Sequence, residues 1–351
     1  MARIVLADDG IVFDGTTPER GPLGGVESSV VNLMEELAGR GHEVMVRNMC
    51  EAPMVHKGVD WAPLHEGGPY ANLPDSADLY IANRGDKLIN LMPGAGRTVF
   101  WIHNPAGFLM KWRYLSKLWR VRPAIVFIGD YHATTYPAWA PGGARVVIPY
   151  GIPDQFRHAT PNDAVPAPRA VFTSNPLRSL DWLLDRWCED IRPRVPTAEL
   201  HVFSGAATYG SVGDGKAQQM ETVLERTRAL VDQGVVLRGP VAKSQLVEEF
   251  RHARVLLYRG DLNETFCLAV GEAQAMGVPA VVEDLGSVRE RVVDERTGFV
   301  VQNDADFSGS ACRLLSDDDL WNNQHRDALD LQRRWGWPEA AAEFEKLIVQ
   351  S

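Results

Sequence analysis

What most constrains this chain is a rhythm in which short apolar runs of strand length alternate with stretches of helical periodicity, written out twice. The first series begins with Arg3 to Asp8 and continues through His42 to Arg47, Asp78 to Asn83, Thr98 to His103, Ala124 to Gly129 and Arg145 to Ile148. Between its first two runs, Val26, Val30, Leu33, Met34, Leu37 and Ala38 recur at the spacing of one helical face, and the helix they predict ends at Gly39 or Gly41. A Pro-rich, polar stretch from Pro149 to Pro168 interrupts the pattern. It then restarts with Ala170 to Thr173, Leu200 to Phe203, Val235 to Leu237, Arg254 to Tyr258, Ala280 to Val282 and Phe299 to Val301, with helices near Leu268 to Met276 and Val288 to Val293. Strands alternating with helices make parallel α/β sheets, and a chain of 351 residues has room for two such domains. The expected organisation is a Rossmann-like unit over residues 1–152, a second over 153–335, and a helix from Pro338 to Val349 within 336–351. Ligands of open α/β sheets bind beyond the carboxyl ends of the strands, so two units facing each other would enclose a cleft.

Composition narrows the classes of function. With 45% hydrophobic and 23% charged residues the chain suits an ordinary core, and no apolar run approaches the ~18 residues of a membrane span. The start, Met1 to Asp9, turns acidic before a signal-peptide core could form, and Cys50, Cys188, Cys267 and Cys312 are too far apart for a zinc site or a disulfide framework. The expectation is a cytoplasmic protein. A net charge of −10 disfavours nucleic acid as a partner. Against that background the stretch from Phe108 to Arg122 stands out, with five cations, no acids and interleaved aromatics. It suits either a helix packed on its own domain or one lying on an anionic membrane, at the inner face of the cell membrane.

The chemistry concentrates in Glu264-Thr-Phe-Cys-Leu-Ala-Val-Gly-Glu272-Ala-Gln-Ala-Met-Gly277-Val-Pro279, which follows a strand and opens a helix. On one continuous helix its two glutamates would point ~80° apart, so Glu264 is expected in the preceding loop. The helix N-terminus offers free N–H groups and a positive dipole end to an anion, and Glu272 can accept from ribose hydroxyls or lie on a solvated face. Asp304-Ala-Asp306 and Asp317 to Asp319 are expected to cap helices, and no cluster has metal-ligand spacing.

These residues resemble the signature of the retaining glycosyltransferases of family 4, Glu-x-Phe-Gly-Leu-x-x-x-Glu-Ala-x-Ala-x-Gly-x-Pro, with Cys267 in place of the usual glycine. Other matches follow in order. Gly24-Gly25-Val26-Glu27 and Gly41-His42-Glu43-Val44 resemble the family's first-domain loop and turn, and His103 its cleft histidine. Val147 to Pro153 resembles the crossing between domains, Gly286 to Glu290 and Thr297-Gly298-Phe299 the segments after the signature, and Trp335-Gly336-Trp337 the approach to a terminal helix that crosses back to the first domain. The family's basic pair is half present, with Arg178 at the lysine position and Ser174 or Asn175 where an arginine is usual.

The resemblance implies the GT-B fold, a nucleotide-diphosphate sugar as donor (UDP- or GDP-linked), retention of configuration, and no metal or further cofactor. It implies a saccharide or lipid-linked acceptor hydroxyl, as in surface polysaccharide or glycolipid synthesis. It assigns His103, Arg178 and Glu264 to catalysis. Gly24, Gly25, Ser174, Gly239, Phe266, Cys267, Leu268, Ala269 and Glu272 fall to donor binding, with donor choice set around Arg238-Gly239-Pro240 and Ser204-Gly205. Two rival readings are a binding protein on the same fold without catalysis and a nicotinamide-dependent oxidoreductase. Against the second, no Gly-x-Gly-x-x-Gly follows the first strand, and Arg47-Asn48 closes the second strand where an acid is needed.

Overall fold

The computed structural model describes residues 1–21, 23–162, 164–205 and 216–348. The chain divides into two compact units, Met1–Gly151 with the segment from Trp337, and Ile152–Gly336. Ile152 falls to the second unit because it bridges to Gly336.

The first unit is built on one sheet of eight strands: β1 (Arg3–Asp8), β2 (Glu43–Asn48), β3 (Met54–His56), β4 (Val59–Pro63), β5 (Leu79–Asn83), β6 (Arg97–Trp101), β7 (Ala124–Phe127) and β8 (Arg145–Val147). Their order is β3-β4-β2-β1-β5-β6-β7-β8. All neighbours are parallel except β3, which pairs antiparallel with β4 through a hairpin whose two turn residues, Lys57 and Gly58, both have positive φ. Every residue of β5 and β7 is buried, as both faces of a parallel sheet require. Helix α1 (Gly25–Gly39) buries Val30, Leu33, Met34 and Leu37, as its periodicity predicts. Helix α2 (Trp112–Val121) turns Tyr114 and Leu118 into a core with Tyr80, Phe100, Ile102 and Phe127.

The second unit has six parallel strands: β9 (Arg169–Phe172), β10 (Glu199–Val202), β11 (Val235–Leu237), β12 (Val255–Tyr258), β13 (Ala280–Glu283) and β14 (Gly298–Val301), in the order β11-β10-β9-β12-β13-β14. Helix α3 (Lys243–Arg251) follows β11, and α4 (Leu268–Ala275) follows β12. The helix expected from Val288 to Val293 is a single 3-10 turn, Val288–Arg291. The cap before α5 (Asp304–Ser316) is Asn303, whose side chain accepts from the Asp306 N–H at 2.9 Å, so Asp304 and Asp306 serve in the first turn. Asp317 does cap α6 (Asp318–Gln332), accepting from the Leu320 N–H at 3.0 Å.

The last helix, α7 (Trp337–Glu345), belongs to the first unit and packs against α1. Phe344 meets Trp101 edge to face at 5.3 Å, and Arg40 grips the Glu345 carboxylate with two bonds of 2.8 and 2.7 Å. Leu347 and Ile348 lie in a turn beyond it, and Val349, where the helix was expected to end, lies outside the described residues.

Both sheets reverse direction once. Strand order changes hand between β1 and β5 in the first unit and between β9 and β12 in the second. The carboxyl ends at such a switch point open the crevice in which α/β sheets bind ligands. The loops carrying most of the predicted site residues emerge at or beside these points, whereas Gly239 follows β11 at the edge of its sheet.

Candidate active site

In the second unit, the loops after β9 and β12 each carry a charge to the switch point. After β9, Asn175-Pro176-Leu177-Arg178 closes a turn in which the Asn175 carbonyl accepts from the Arg178 N–H at 2.9 Å and its side chain accepts from the Leu177 N–H at 2.8 Å. Proline at the second turn position favours this geometry. The turn aims Arg178 at Glu264, and the two form an ion pair through Nη1 and Oε2. Tyr258, closing β12, donates its hydroxyl to the same Oε2 at 2.9 Å. Burial works against the Arg178 charge, but the Glu264 carboxylate outweighs it and raises the guanidinium above its ordinary value. Arg178 therefore remains a cation at any pH where the fold exists.

Glu264 is in the loop, as its spacing predicts. The loop is held by the Glu264 N–H to the Asp261 carbonyl at 2.8 Å and by the Ser287 N–H to the Glu264 carbonyl at 3.1 Å. Gly286 makes that approach possible: at φ +66 it is in the left-handed region, and a Cβ would stand 2.3 Å from the Asp261 oxygen.

The signature then enters α4. Cys267, its N-cap residue, has φ +65 and ψ 74, the backbone for which a glycine is suited. Its thiol is buried, and burial together with the Glu264 charge pushes its ionisation well up, so it stays neutral. Leu268 and Ala269 are the first two helical residues, and the first turn carries no acid and no side-chain cap. The N–H end of α4 is thus a positive pole. Phe266 is buried beneath the Arg291 guanidinium, 4.3 Å from its ring centre. Glu272 is 1% exposed, and Lys243 from the first turn of α3 reaches its two carboxylate oxygens at 2.6 and 2.5 Å.

Ser174 and Gly239 sit at the ends of β9 and β11. Ser204 ties the first by donating to the Ser174 carbonyl at 2.6 Å, and Gly239 has φ +72 beside Pro240. Gly205 leaves room for Pro240, whose Cδ would lie 2.8 Å from an added Cβ. The structure therefore gathers Ser174, Arg178, Gly239, Glu264, Phe266, Cys267, Leu268, Ala269 and Glu272 in one unit, on the carboxyl side of one sheet.

Gly24, Gly25 and His103 belong to the other unit. There a buried polar chain runs along the switch point. Tyr150 bonds His103 Nδ1 at 2.5 Å, and His103 Nε2 bonds the Asn83 Oδ1 at 2.5 Å. Asn83 donates to Asp8, Asp8 pairs with Arg84 at 3.1 Å, and Arg84 pairs with Glu27 at 2.9 Å. Burial, and then the Arg84 charge, holds His103 well below its ordinary value. It is a neutral imidazole, 3% exposed, donating from Nε2 and accepting at Nδ1. Gly24 is the N-cap residue of α1 and Gly25 its first residue. The Glu27 carboxylate lies against Gly24, with Oε2 only 2.4 Å from where a Cβ would stand, so an acid already occupies the first turn.

Lys243, Tyr258, Arg291 and the chain from Asp8 to Tyr150 are the partners that reading the sequence missed. A usable signal existed for two of them, because Asp8 and Asn83 are polar residues ending apolar strands. Lys243 gave none, since its partner lies 29 residues away. Among the described residues no three His, Cys, Asp or Glu side chains converge to hold a metal ion, and no helix is long and apolar enough to cross a membrane.

Comparison with known proteins bears on this geometry. The model of a family described as glycosyl transferases group 1 matches residues 167–317, which include the whole Glu264 to Pro279 segment. A D-inositol 3-phosphate glycosyltransferase of Xylanimonas cellulosilytica is 32% identical over 39% of this chain and 34% of its own length. The chain thus spans about a third of the length of the first curated relatives it matches. A GDP-mannose-dependent alpha-mannosyltransferase of Mycobacterium tuberculosis is 26% identical over 83% of this chain and 82% of its own. Among solved structures, Anabaena HepE in complex with UDP and glucose superimposes with a TM-score of 0.72, at 14% identity, over 99% of both chains. The chain has the GT-B fold, and its second unit matches the model of the group 1 glycosyltransferases over residues 167–317.

Proposed function

We propose that the protein is a retaining glycosyltransferase that moves a sugar from a UDP- or GDP-linked donor to a hydroxyl of a saccharide or lipid-linked acceptor, in surface polysaccharide or glycolipid synthesis. The observation that carries this reading is the pole at α4. An N-terminus with no acid in its first turn lies at a switch point, with Arg178 and Glu264 before it and Glu272 one turn along. The N–H groups of Leu268 and Ala269 and the Arg178 guanidinium neutralise the departing diphosphate, which is electrostatic catalysis. Glu264 accepts from donor-sugar hydroxyls and Glu272 from the ribose. The proton of the acceptor hydroxyl passes to the donor phosphate oxygen, so no side chain need act as base, which suits a neutral, doubly bonded His103. The nucleotide sugar and the acceptor are the partners this mechanism needs, and it calls for no metal or further cofactor. The relatives' names, an inositol phosphate glycosyltransferase and a GDP-mannose-dependent mannosyltransferase, support the class of reaction.

Thermal melting with UDP, GDP, ADP and NAD in turn tests it. A ligand at 100 times its dissociation constant stabilises by ~2.7 kcal/mol. A shift with one nucleoside diphosphate identifies the donor base, and a shift with NAD alone refutes the reading. Glu272→Ala should weaken nucleotide binding, and Arg178→Ala should lower turnover. Donor hydrolysis or transfer excludes a binding protein without catalysis.

We also infer contact with an anionic membrane through α2, which places the protein at the inner face of the cell membrane. Trp112 and Trp119 are 79% and 74% exposed, and Lys111, Arg113, Arg120 and Arg122 are exposed with them. Lys117 takes no part, because Asp86 holds its ammonium at 2.9 Å. Exchanging both tryptophans for serine should reduce cosedimentation with anionic liposomes, and unchanged binding would refute the contact.

A further inference from the structure

We propose that a cavity at the opposite edge of the first sheet is an anion site that takes a phosphate group, built from Arg97, Arg120 and Arg122. The cavity has a volume of about 490 Å3, and Asn90, Met92 and Thr98 line it with the three arginines. Its place follows from the topology. Arg97 begins β6, Arg122 follows the end of α2, and Ala124 begins β7. These are the amino ends of parallel strands, the edge away from Asp8, Asn83 and His103. The site is therefore separate from the candidate active site, and the inference does not depend on the proposed transfer reaction.

The charge pattern carries the argument. The chain has a net charge of −10, and most of its arginines find a carboxylate or a carbonyl. Among the described residues, the side chains of Arg97, Arg120 and Arg122 have no such partner, and all three line the same cavity. The C-terminal pole of α2 accounts for a cation at Arg120 or Arg122. It does not account for Arg97, whose Nε is closed off from water without a hydrogen bond. A buried guanidinium nitrogen left in that condition is costly, and an acceptor brought into the cavity lets the group close on it. Arg122 is held beside it in the left-handed conformation, φ +52, a backbone unfavourable for arginine. Three planar donor forks, with the Asn90 amide and Thr98 hydroxyl, match the several oxygens and double charge of a phosphate monoester better than a single carboxylate.

Calorimetric titration of the full chain with inorganic phosphate at low salt tests the site, with variants that separate it from the α4 pole. Arg97→Gln and Arg120→Gln should each weaken phosphate binding about tenfold, the loss of one charged hydrogen bond. Arg178→Ala should leave this binding unchanged. Arg97→Lys, which keeps the charge and loses the fork, should restore part of it and controls for folding. Cosedimentation with phosphatidylcholine vesicles, with and without phosphatidic acid, distinguishes the source of the phosphate. Loss of phosphatidic acid-dependent sedimentation in Arg97→Gln assigns the site to a lipid headgroup. Loss of phosphate binding with sedimentation unchanged assigns it to a soluble phosphate compound. Phosphate binding abolished by Arg178→Ala and indifferent to Arg97→Gln and Arg120→Gln would overturn the proposal, as would no phosphate or vesicle binding by the unaltered chain.

Discussion

Replacing Lys243 by methionine isolates the pair that holds Glu272, the residue proposed to meet the ribose. The substitution keeps most of the aliphatic stem and removes the ammonium, leaving the Glu272 carboxylate 1% exposed and without its cation. Breaking a buried ion pair by deleting one partner costs ~3–5 kcal/mol. Here the lysine side chain is 39% exposed, so water can approach from that side and ~2–3 kcal/mol is expected. For a domain of this size that lowers the melting temperature by ~4–10 °C. The reciprocal change, Glu272→Gln, leaves a half-exposed ammonium that water solvates, so it should cost less. The double variant Lys243→Met/Glu272→Gln should recover at least half of what Lys243→Met loses, a coupling above ~1 kcal/mol. Differential scanning calorimetry of the four proteins measures this cycle. If Lys243→Met melts within ~1 °C of the parent, or the two single effects simply add, the pair does not hold Glu272 in solution and the reasoning fails.

Three further outcomes follow from single positions. Because Cys267 has φ +65, glycine should be tolerated there at least as well as alanine, reversing the usual order by ~1 kcal/mol; chemical denaturation of both variants decides it. Gly286→Ala puts a Cβ 2.3 Å from the Asp261 carbonyl and should displace the loop that presents Glu264, destabilising by at least ~2 kcal/mol and abolishing the nucleotide-induced melting shift. The bonds from Arg40, supported by His42 and opposed by burial, lower the Glu345 carboxyl to about 2. A depressed carboxylate contributes stability above its unfolded value and loses it as pH falls, so the docking of α7 should weaken between pH ~4.5 and about 2. Hydrogen exchange across residues 337–345 should show that dependence in the parent, and a uniformly looser helix, by about 1 kcal/mol, in Glu345→Gln.

The order of strands and the place of the site were legible because both are written locally. Apolar runs bounded by Gly, Pro or polar residues located the twelve strands expected, with end shifts of one or two residues. The β3–β4 hairpin escaped because its turn, Lys57-Gly58, lacks the Asn-Gly or Asp-Gly pair that marks such turns, and its first strand is only three residues long. The start of α4 and the position of Glu264 in its loop were readable from helical geometry. What was not readable was the set of charges that these groups meet. Lys243 on Glu272, Asp86 on Lys117 and Arg84 between Asp8 and Glu27 are tertiary pairings, and no spacing along the chain encodes them.

The two glycine- and signature-marked helix starts show what that difference means for function. Read as spelling, Gly24-Gly25 before α1 and Cys267-Leu268 before α4 are alike, each a strand end turning into a helix whose N–H groups could hold an anion. The first turn of α1 contains Glu27, which lies against Gly24 and binds Arg84, so this pole is already opposed by a carboxylate with its own counterion. The first turn of α4 contains no acid, and the carboxylate nearest it in sequence, Glu264, is engaged by Arg178 and Tyr258. On the proposed reading a diphosphate would meet a first turn without an acid and the Arg178 guanidinium at α4, whereas at α1 it would have to compete with Glu27. In the proposed reaction this asymmetry would let one cation after β9 serve where the family it resembles has two. On that reading Arg178 would add to a pole whose first turn holds no acid, Glu272 one turn along being met by Lys243, and the pairing with Glu264 would hold the guanidinium in place for the donor.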